Sequence, residues 1–223
     1  MLNLPKYEPT KELFHAWIRD VDKVIHRICI ASFSSDGDSL SQWRSYGNIA
    51  IGFDFKWFIG YASETHLMSV EYDAHKQEQL ISLYLSHMCQ AYTLDNSMGR
   101  LERIEDVYLK TDKLIRLVTF FKDAGFKDEC EYRMAYIEDK NLFDSCGLKI
   151  APKEFRVSKG KLIPYVKSTD LLTLGEKKST LNICSVVLGP GLNSLVEQGV
   201  REYLDHKGYE DVEIKRSRVP YRT

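Results

Sequence analysis

The chain has 223 residues, which suits one domain, and its 43% hydrophobic and 28% charged residues lie far from the composition of disordered chains. Thirty-one Lys and Arg against thirty-two Asp and Glu leave a net charge of -1, so no global positive field draws in nucleic acid or anionic lipid, and any phosphate recognition must be local. Lys6 and Pro5 interrupt the amino terminus before a signal peptide could form, and the uncharged run from Ser179 to Val196 is broken by Asn182, Gly189, Pro190 and Gly191. A soluble, cytoplasmic single domain over residues 1–223 is expected, with no membrane partner.

In chain order, Thr10 is placed to cap a helix over residues 10–26, in which Leu13, Phe14, Trp17, Ile18, Val21, Val24 and Ile25 recur at three- and four-residue spacing. The continuous run Arg27 to Ser34 reads as a buried strand that Asp36-Gly37-Asp38 ends, and Asn48 to Asp54 alternates as a second strand. A third strand is expected from Leu67 to Tyr72. Residues 74–123 then form a helical insertion: Leu80, Ile81, Tyr84, Leu85 and Met88 share one face, and Ile104 to Phe121 outlines another helix. Glu129 to Ile137, Leu162 to Lys167, Ile183 to Leu188 and Val212 to Lys215 read as strands. Before the last of these lies a helix that carries Leu195, Val196, Val200, Tyr203 and Leu204 and is ended by Gly208. The expected class is α+β, with one mixed, mostly antiparallel sheet and the helical insertion between its central strands.

The ordered motifs Ser32-Phe33-Ser34, Gln42-Trp43-Arg44-Ser45-Tyr46, Ile51-Gly52-Phe53-Asp54, Phe126-Lys127-Asp128-Glu129-Cys130-Glu131-Tyr132-Arg133, Leu188-Gly189-Pro190 and Pro220-Tyr221-Arg222 resemble the bacterial domain-of-unknown-function family 2971. That family usually opens with a Tyr-Lys-Tyr-Arg-like strand, which nothing before Thr10 matches; either the chain is a short variant or its start is missing. The resemblance implies a fold and a site region but no reaction, and for bacterial members it implies roles in anti-phage defence neighbourhoods.

Strand alternation places Glu129, Glu131 and Arg133 on one face. Two readings follow. Arg133 neutralises the carboxylates in a structural network, or the two carboxylates, roughly 7 Å apart on a strand, divide acid/base work and cation stabilisation between them. A Glu-x-Glu strand beside a Ser-x-Ser strand and nearby aromatics resembles the ADP-ribosyltransferase plan. That likeness implies NAD as cofactor, Glu131 as the carboxylate on the ribose, Glu129 near the acceptor, and Ser32 and Ser34 orienting the nicotinamide ribose. Trp43 or Tyr46 would stack, Arg44 and Arg222 would meet phosphates, and Arg133 would be a further ligand-binding residue. A fixed carboxylate suits this chemistry because loss of nicotinamide develops oxocarbenium charge. The plan also needs a cation on the first strand, a part for which only His26 or Arg27 is placed.

Trp43 and Tyr46, three residues apart, would both enter the core from a helical turn or both line a cleft. Gly189-Pro190-Gly191, with a Ser194-x-x-Glu197 capping box after it, reads as a tight turn or an anion-binding one. Lys215, Arg216, Arg218 and Arg222 are an edge-strand charge set or a phosphate contact, which leaves a nucleotide or nucleic-acid acceptor open. The five cysteines are scattered and the six histidines never take a metal-ligand spacing, so no metal is expected; Cys29, Cys130 and Cys184 read as buried thiols. Two functions therefore stand: an NAD-using ADP-ribosyltransferase-like enzyme, or a non-catalytic nucleotide-sensing or protein-interaction module whose protein partner is unknown.

Overall fold

The computed structural model describes residues 28–56, 65–97, 113–138, 151–167 and 182–220. Its strands are β1 (Ile28–Ser34), β2 (Ile49–Phe53), β3 (Thr65–Ser69), β4 (Glu131–Ile137), β5 (Lys153–Ser158), β6 (Lys161–Val166), β7 (Ile183–Leu188) and β8 (Glu213–Arg216). The named helices are α1 (Leu40–Tyr46), α2 (Ala74–Ser97) and α3 (Ser194–His206), with a 3-10 helix at Ala124–Glu129 and a further helical segment over 113–119. The expected amino-terminal helix over 10–26, His26, Arg27 and most of the second insertion helix lie outside the described residues.

The class is α+β, but the strands form three small sheets, ordered β1-β4-β3, β2-β7-β8 and β5-β6, where a single sheet was expected. All pairings are antiparallel except β7 with β8. Consecutive strands β1 and β2 both exist where the periodicity places them, yet they do not pair with each other. Each takes a partner distant in sequence, β4 or β7, and α1 occupies the connection between them. The two sheets instead meet through side chains: Phe33 of β1 stands edge-on to Phe53 of β2 with ring centroids 6.0 Å apart. The helical insertion separates β3 from β4, which are neighbours in their sheet.

Two local differences have clear causes. β4 starts at Glu131, two residues later than expected, because Cys130 takes a left-handed φ of 45° that ends the 3-10 helix and puts Glu129 outside the strand. The hairpin β5–β6 has its first strand in a stretch left unassigned from sequence, although Phe155 and Val157 alternate with polar residues and Lys159-Gly160 supplies two positive φ angles, 49° and 73°, for a two-residue turn. Cys130 and Cys184 are exposed, contrary to the buried reading, and Cys29 is half-buried.

Beneath α3, Val186, Leu188, Leu204 and Val212 form a buried cluster with Val200, Tyr209 and Ile214 packed against it. α3 begins at Asn193, whose side-chain oxygen accepts from the Val196 amide at 3.1 Å; the expected Ser194–Glu197 box is not used, and Glu197 reaches Arg216 instead. Ahead of α3, Gly189 donates its amide to Asn48 O at 2.8 Å and lies so close to β2 and α1 that an added Cβ would sit 3.0 Å from Asn48 O and 3.1 Å from the Trp43 ring. The turn is therefore structural, with glycine required by backbone approach. Gly189→Ala should destabilise the fold by about 1–3 kcal/mol and shift the Trp43 fluorescence, read by chemical denaturation; unchanged stability and emission would refute the close approach.

Candidate functional site

Sheet β1-β4-β3 has two faces of opposite character. Antiparallel register sets Ser34 opposite Glu131 and Ser32 opposite Arg133, so these four side chains share one face, while Phe33 opposite Tyr132 and Leu67 opposite Met134 share the other.

On the first face, Glu131 is only 5% exposed and is the focus of an ionic cluster. Arg133 Nε donates to Glu131 Oε1 at 2.9 Å, Arg133 Nη2 to Oε2 at 3.3 Å, and Lys122 Nζ to Oε2 at 2.9 Å. Lys122 also bonds the Glu129 carboxylate and lies 4.8 Å over the Phe126 ring. The other guanidinium nitrogen of Arg133 donates to Thr119 O at 2.5 Å and to Phe121 O at 3.4 Å, so a cation sits on the carbonyl end of the 113–119 helical segment. Burial acts to raise the Glu131 pKa, but the hydrogen bonds from Arg133, Lys122 and Ser32 outweigh it and lower the value from 4.5 to about 2. For Lys122, burial opposes the charge, yet the bonds to Glu129 and Glu131 prevail and its pKa is raised.

On the second face, and reaching across to sheet β2-β7-β8, lies a cleft of about 800 Å³. Its walls are Phe33, Leu67 and Tyr132 from one sheet and Ala50, Gly52, Ser185 and Val187 from the other, with Gln42, Trp43 and Tyr46 of α1 at one end. The lining extends round the edges of both sheets through Ser32 and Ser34 of β1 and Ile49 and Ile51 of β2. Six of the lining residues are aromatic, Asp36 is the charged one, and no lysine, arginine or histidine lines the cleft among the described residues.

The expected site residues thus divide. Ser32, Ser34, Trp43 and Tyr46 line the cleft; Glu129, Glu131, Arg44 and Arg133 do not. Ser34 is engaged twice, its hydroxyl donating to Glu129 O at 2.8 Å and accepting from the Asp36 amide at 3.1 Å. Trp43 and Tyr46 both line the cleft, Trp43 as a buried residue and Tyr46 at 73% exposure. Arg44 is exposed on α1, and Arg222 lies outside the described residues. Of the carboxy-terminal cations, Arg216 pairs with Glu197 and Lys215 with Glu213 at 3.0 Å. Among the described residues, no group of side chains could hold a metal ion, and no helix is long and apolar enough to cross a membrane.

Sequence reasoning missed Asp38 and Lys122. Asp38 accepts from the Trp43 indole at 2.9 Å, from the Ser217 hydroxyl, and from the Arg218 amide at 2.7 Å, tying α1 to the end of the chain; burial acts to raise its pKa, and those three bonds lower it. Its signal was an acidic residue five positions before a tryptophan, which specifies no partner by itself.

Residues 42–134 match the model of the family described as "Protein of unknown function (DUF2971)", so the resemblance noted from the motifs holds over that stretch, which runs from within α1 to the start of β4. No curated protein and no solved structure matches the chain.

A carboxylate with a folded pKa below its unfolded value adds stability above the unfolded value and loses it as pH falls through the folded one. Glu131→Gln should therefore cost roughly 3 kcal/mol at neutral pH, because Arg133 and Lys122 lose their buried counter-charge. That deficit should shrink between pH 4.5 and about 2 as the parent's own carboxylate protonates. Urea unfolding of both proteins across this range checks the expectation; a deficit independent of pH would show that the carboxylate charge is not what stabilises the cluster.

Proposed function

We propose that the chain is a non-catalytic binding module whose ligand occupies the cleft between the two sheets. The observation that carries this reading is the separation of charge from cavity: Glu129 and Glu131 are bound by Lys122 and Arg133, while the cleft beside Ser34 and the aromatics contains neither carboxylate. A nicotinamide ribose held in that cleft would meet neither Glu129 nor Glu131, Asp36 being the one carboxylate among the described lining residues, and its pyrophosphate would meet no cation among them. The Ser185 hydroxyl with the faces of Phe33, Tyr46 and Tyr132 suits a ligand held by stacking, apolar contact and neutral hydrogen bonds. In this reading Glu131 and Arg133 are scaffolding that positions β4, as a sensing or interaction module of the kind implied by the defence-linked resemblance would require.

The test is incubation of the protein with NAD and RNA, DNA or protein acceptors, with free nicotinamide as the readout. The parent should release none, and Glu131→Gln should alter melting temperature but leave that null trace unchanged. Nicotinamide release by the parent that Glu131→Gln abolishes would overturn the binding module in favour of an ADP-ribosyltransferase-like enzyme.

A further inference from the structure

The cleft is bordered by two strand edges whose main-chain groups point away from their own sheets. In an antiparallel pair, successive residues direct their N–H and C=O alternately to one neighbour and then the other. Gly189 N donates to Asn48 O and Asp54 N to Asn182 O, so the even-numbered residues of β2 face β7, and Ile49 and Ile51 direct their amides and carbonyls outward. On β1 the same argument runs through its partner. Glu131 bonds Val70 and Tyr72 on the β3 side, and Ser35 bonds Cys130, which leaves Ser32 and Ser34 with outward main-chain groups.

No main-chain partner meets those groups of Ile49 and Ile51 among the described residues. Both side chains are also about half exposed, at 48% and 52%. Among the described residues this edge bears isoleucines and has no lysine, proline or covering element, and such an edge is a template for another strand. Ile49 and Ile51 of this edge and Ser32 and Ser34 of the β1 edge line the same cleft. Neighbouring strands stand ~4.8 Å apart, so a segment on β2 would lie within the cleft with β1 along its other border.

Resting on the binding-module reading, we propose that the occupant is an extended polypeptide segment of a partner protein. It adds to the outer edge of β2 through the Ile49 and Ile51 main chain, with alternate apolar side chains against Phe33 and Tyr132 and a basic residue beside Asp36. Main-chain pairing supplies affinity and the aromatic wall supplies selectivity, as in other strand additions. Because β2 has five residues, a segment of similar length fills the edge.

The probe is a pooled set of capped octapeptides with β-branched or aromatic residues at alternate positions and lysine at one end, added to the full chain. Amide hydrogen exchange is read at Ile49 and Ile51. In the free protein these amides should exchange fast, and the best peptide should slow them at least about tenfold. N-methylation of the peptide's alternate amides should abolish binding with its side chains unchanged. Ile51→Pro, which removes an outward donor and no bond of the β2–β7 ladder, should do the same at unchanged melting temperature.

Peptide binding without protection of the two amides, no binding by any peptide, or binding by free nucleosides in place of peptides would overturn the strand addition. Slow exchange at Ile49 and Ile51 in the free protein would also overturn it, because the edge would then be covered by this chain or a second copy. None of these outcomes releases nicotinamide, so failure here is distinguishable from failure of the binding-module reading.

Discussion

The Glu131 carboxylate ties β4 to the 113–119 helical segment and to the 3-10 turn before it. Its charge binds Arg133 on its own strand and Lys122 from the end of the helical segment, and through them the Glu129 side chain and the Thr119 and Phe121 carbonyls. The Glu131 main chain bonds Val70 and Tyr72 on the other side. A buried carboxylate is costly unless the bonds made to its charged form exceed its loss of solvation, and here two cations and a serine hydroxyl do so. The geometry is directional, so a slip of β4 by one residue would turn Glu131 into the cleft and Tyr132 onto the cations. Removing one partner of such a cluster is costly because it leaves an uncompensated buried charge.

That constraint also explains why Glu131 and Arg133 stay out of the cleft, in which Asp36 is the one charged residue among the described lining. Glu131 and Arg133 take one face at the start of β4, so the intervening Tyr132 falls on the other face and lines the cleft. Asp38 works in parallel at the far end of the cleft, fixing the Trp43 indole and the main chain near Ser217 and Arg218 with three bonds. Between these two anchored regions β1 and β2 are held close without pairing. Their rings touch, and their outer main-chain groups are left to the cavity. The open edges follow from the same arrangement that makes three sheets out of what alternation alone suggests is one.

Much of this was legible in the sequence. The strands around Ser32, Ile51, Glu131 and Val186 appear in alternation and β-branched content, the last helix in its 3.6-residue period, and the neutral net charge in the count of ionisable residues. Those are local properties, set by side-chain type and spacing within a few residues. The pairing of β1 with β4 and of β2 with β7 spans well over a hundred residues in the second case, and no local period encodes a partner. The sharing of a face by Glu131 and Arg133 was a matter of alternation and could be read directly. Whether that face met a cavity or two cations was decided by Lys122, seven residues before Glu129 and separated from it by a 3-10 turn. Sequence alone therefore determined an α+β chain with a Glu131–Arg133 face and a Ser32–Ser34 strand. Only the tertiary structure decided that the carboxylates serve the scaffold and the aromatic side chains the cleft, because desolvation and counter-charge depend on which distant side chains come within hydrogen-bond reach.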